Sequence, residues 1–95
     1  MSLEALTSRY IRSAEKVLNE LQRTKAQVSV SEEDVAKVLR WASDYLEDAK
    51  YYKAQGKFET SLTSVSYCEG LLDALRLLGA VKFEWSNDRV RKRLS

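Results

Sequence analysis

Histidine is absent from the 95-residue chain, and that removes more chemistry than any residue present supplies. Imidazole acid–base work, Ser-His and Cys-His nucleophiles and nearly all zinc sites are lost with it. Carboxylates, tyrosines and one thiol remain. Glu69 and Asp73 stand four residues apart on one helical face, and Asp44 approaches Glu69 if two helices fold back on each other. Three such carboxylates could hold a hard cation such as magnesium. Arg40 and Arg76 offer the plainer alternative of ordinary ion pairs, which is the expectation here, with no metal and no cofactor. Asp48 lies near Tyr51, Tyr52 and Tyr67, and a buried Asp48–Tyr67 hydrogen bond is expected in preference to a ligand pocket. The polar cluster singled out is therefore Asp44, Asp48, Tyr67, Glu69 and Asp73. Cys68 sits on an apolar face without a basic neighbour and reads as inert packing.

The second chemistry-bearing stretch is basic. Arg89, Arg91, Lys92 and Arg93 could touch phosphates. The net charge of +2 belongs to this end of the chain. Residues 1–79 carry 11 basic against 12 acidic side chains, and residues 80–95 carry 5 against 2. A nucleic-acid reader normally shows a basic stripe on its folded body as well. A short basic terminus is more often a solvated end, so nucleic-acid contact is the alternative reading, not the leading one.

Long helices must position these groups. The chain has no proline and three glycines, Gly56, Gly70 and Gly79, a scarcity of breakers that predicts few, long helices. Leu6, Tyr10, Ala14, Val17 and Leu21 recur at helical spacing, with Ile11 and Leu18 widening the stripe, and predict a first helix over residues 3–26. Ser31 followed by Glu32, Glu33 and Asp34 is an N-cap with acids in the first turn, and Asp34 completes a capping box. Val35, Val38, Leu39, Ala42, Tyr45, Leu46, Ala49 and Tyr52 mark one face of that second helix, and Gly56 stops it. Phe58, Leu62, Val65, Cys68, Leu71, Leu72, Leu75 and Leu78 define a third, ended by Gly79. Folding about Gly56 places together residues whose numbers sum to about 113, from equal helical rise. Trp41 then faces Leu72 and Tyr45 faces Cys68. Gly70 is expected where a backbone or ring comes close. The first helix is expected to cover the groove of this hairpin.

Residues 80–95 form a separate extension. Val81, Phe83 and Trp85 alternate with Lys82 and Glu84, which is strand-like without a second strand to pair with. These aromatics either lie back on the bundle or bury themselves against a second copy.

The middle of the chain resembles the archaeal domain-of-unknown-function family 357. The resemblance covers about residues 35–79. It rests on Asp48-Ala49-Lys50-Tyr51-Tyr52, Gly56-Lys57-Phe58 and Ser66-Tyr67-Cys68-Glu69-Gly70-Leu71-Leu72-Asp73-Ala74, followed by Leu78-Gly79. The family often has alanine at Ser61 and Cys68. What the resemblance implies is a small three-helix bundle from an archaeal cytoplasm, with no established activity and no catalytic residues to carry over. Tyr51-Tyr52 through Phe58 is also similar to the turn of a tetratricopeptide repeat, but one unit cannot build a solenoid.

The expectation is an all-α, up-and-down antiparallel three-helix bundle over residues 1–79 with a short C-terminal tail. A single cysteine and the lack of a signal-peptide core or a membrane-length apolar run place it in the cytoplasm. The leading function is a non-catalytic protein-interaction module, self-associating through Val81, Phe83 and Trp85. The alternatives are a nucleic-acid-associated protein using the basic tail and a small-molecule or metal-binding bundle.

Overall fold

A computed structural model describes residues 2–86. The chain is all-α: α1 spans Leu3–Glu20, α2 Glu32–Ala54 and α3 Phe58–Leu77. There is no strand among the described residues.

Each helix end has a local cause. Ser2 caps α1, its Oγ accepting from the Ala5 N–H at 3.0 Å. Ser31 caps α2 reciprocally: its Oγ accepts from the Asp34 N–H at 3.0 Å, and Asp34 Oδ2 accepts from the Ser31 N–H at 3.1 Å. This is the capping box expected from the four residues alone. Gly56 and Gly79 both take positive φ, 77° and 80°. Past the end of α2, the Gly56 N–H donates to Lys53 O and the Lys57 N–H to Tyr52 O. Past the end of α3, the Gly79 N–H donates to Arg76 O and the Ala80 N–H to Leu75 O. Both are Schellman closures, which satisfy the last carbonyls and need a left-handed residue that glycine adopts without strain.

The first helix ends six residues before the expected boundary, because Leu21 turns to extended backbone (φ −65°, ψ 151°). The apolar stripe stops at Leu21, and Gln22-Arg23-Thr24 offers nothing to bury. A helix of this length without a docked face is marginal in water, so it frays where the pattern fails.

The packed unit is the antiparallel α2–α3 hairpin. Its buried residues are Ala42 and Ala49 from α2 and Cys68 and Leu75 from α3. Small residues on α2 let the backbones approach, and Ser61 Oγ exploits this by donating to Ala49 O at 2.6 Å across the hairpin. Tyr45 and Tyr67 meet with ring centroids 4.3 Å apart. Both contacts lie within one helical turn of the register expected from folding about Gly56.

The first helix does not cover the groove as expected. It buries none of its residues. It begins beside the start of α3, where Leu3, Leu6, Thr7 and Tyr10 face Glu59, Thr60 and Thr63 across an open cleft. Tyr10 stays 67% exposed and Leu18 72%. The apolar stripe is therefore present in α1 but is not used against the hairpin.

Candidate functional site

The carboxylates singled out from the sequence do not converge. Asp44 and Asp48 are exposed on α2, and Glu69 and Asp73 are half-buried on α3. Among the described residues no group of three or more carboxylates or thiols is placed to hold a metal ion. The buried Asp48–Tyr67 hydrogen bond is not formed. Asp48 points to solvent, and the Tyr67 ring is spent on Tyr45, an aromatic contact that favours tilted or offset rings.

Asp73 has a different role. Its Oδ1 accepts from the Trp85 indole N–H at 2.9 Å and from Arg76 Nη2 at 3.1 Å. Arg76, one helical turn on, is thus an arginine on Asp73, and Arg40 across the hairpin is not. The reason is position: Asp73 lies on the outer flank of α3, along which the tail returns. The Schellman turn at Gly79 reverses the chain, and Val81, Phe83 and Trp85 become half-buried while Lys82, Glu84 and Ser86 stay exposed. Phe83 packs edge-on against Trp85, centroids 4.9 Å apart, and Arg76 Cζ stands 5.4 Å from the Phe83 centroid. Between the two expected fates of these aromatics, lying on the protein's own helix is the one observed. The period-two pattern comes from one side facing α3 and the other facing water, not from a sheet. Sequence reasoning misses the Asp73–Trp85 bond because an i,i+4 carboxylate pair suggests a cation before it suggests an indole.

A second surface feature is a shallow groove on the hairpin lined by Lys37, Val38, Trp41, Tyr67 and Leu71, with a volume of about 130 Å³. Trp41 is 53% exposed there. Cys68 lies in the core, and burial pushes its thiol above the ordinary range, with Glu69 adding to the effect. Such a thiol is a poor nucleophile. Arg89, Arg91, Lys92 and Arg93 lie outside the described residues. Among the described residues no helix is long and apolar enough to cross a membrane.

Gly70, expected at a close approach, faces open space: a Cβ there would meet no atom within 4 Å. It lies on the back of α3, opposite Cys68 and Leu75.

No curated protein and no solved structure matches the chain. A family model, described as "Protein of unknown function (DUF357)", matches residues 9–81. That span runs from Arg9 in α1 through the whole hairpin to Val81 in the returning tail, so it takes in both Schellman glycines, Tyr45 with Tyr67, and Asp73. On that match over most of its length, the chain belongs to the DUF357 family.

Proposed function

We propose that this protein is a non-catalytic protein-interaction module of the cytoplasm. The observation that supports this reading is the exposed apolar face of α1, on which Leu3, Tyr10, Ile11, Val17 and Leu18 are each more than half exposed. Scattered surface leucines need no explanation, but a contiguous stripe along one helix is what a partner surface looks like. The dispersed carboxylates and the buried thiol support the non-catalytic part of this reading. A reduced, unpaired Cys68 suits the cytoplasm.

The test is a comparison of bound proteins. The tagged chain and its Ile11→Glu/Leu18→Glu double variant are each exposed to native cell extract, and every retained species is counted, untagged copies of the chain included. The reading expects at least one species that the natural chain holds and the variant loses, with unchanged helical circular dichroism. Identical retained sets, or none in either case, would overturn it.

A further inference from the structure

We draw no further inference here: the strongest candidate, the shallow groove on the α2–α3 hairpin lined by Val38, Trp41, Tyr67 and Leu71, carries none, because nothing in the structure shows what covers it.

Discussion

A methyl group at residue 70 would find open space on the back of α3, and residue 70 has ordinary helical backbone, since positive φ is confined to Gly56 and Gly79. Gly70→Ala should therefore stabilise the protein by about 0.5–1 kcal/mol, through lower unfolded-state entropy and better helix propensity, read as a raised chemical-denaturation midpoint. Gly79→Ala should do the opposite, costing about 1–2 kcal/mol, because a side chain at φ 80° is strained and the Schellman closure depends on that conformation. The two substitutions are chemically identical and differ only in backbone, so opposite signs are a sharp outcome. Equal signs would contradict the helix end at Leu78. The sequence marks both glycines in the same way, by type. Gly79 is assignable because a stop is needed after a long apolar run; the period of Cys68, Leu71 and Leu75 puts residue 70 on the opposite side of the helix, but a glycine inside a helix reads equally well as a close approach.

Helix starts show how far local sequence carries, and where it stops. Ser31 and Asp34 are close enough along the chain that their pairing follows from four residues, so the capping box is fully legible in the sequence. Ser31→Ala should cost about 1 kcal/mol, seen as a lower thermal midpoint. The Asp34 carboxyl is held below its usual 3.8, first by the backbone N–H of Ser31, then by its hydroxyl, with Lys37 assisting. Because the folded value is the lower one, the unfolded state binds more protons between the two values. The stabilisation is complete above the unfolded value and is lost as pH falls through the folded one. Asp34→Asn should flatten the acid limb of helicity against pH below about 4, and an unchanged limb would mean that other carboxylates govern it. The tail is less legible. Its alternation is plain, but the partner of Trp85 is twelve residues back on another face, and no spacing rule connects an indole to Asp73. Asp73→Ala should release the tail, costing roughly 1 kcal/mol after allowance for partial exposure. In a Trp41→Phe background, Trp85 fluorescence should shift to the red and become open to an aqueous quencher. An unshifted emission would show that Phe83 and Arg76 hold the tail without Asp73.

At the scale of the whole molecule, the distribution of burial decides which parts share one fate. Ala42, Ala49, Cys68 and Leu75 all lie between α2 and α3, so cooperative stability belongs to the hairpin, while α1 buries none of its residues. The stripe on α1 correctly marks it as amphipathic. It does not say what the stripe faces, because periodicity encodes a buried side without naming the cover. Hydrogen exchange of the dilute full-length chain should reflect the division. Amides around Ala49 and Cys68 should exchange most slowly, and those of α1 at close to unprotected rates, since an undocked helix of this length opens readily. Equal protection in all three helices at high dilution would instead mean that α1 closes onto its own hairpin and that its apolar face has no need of another chain.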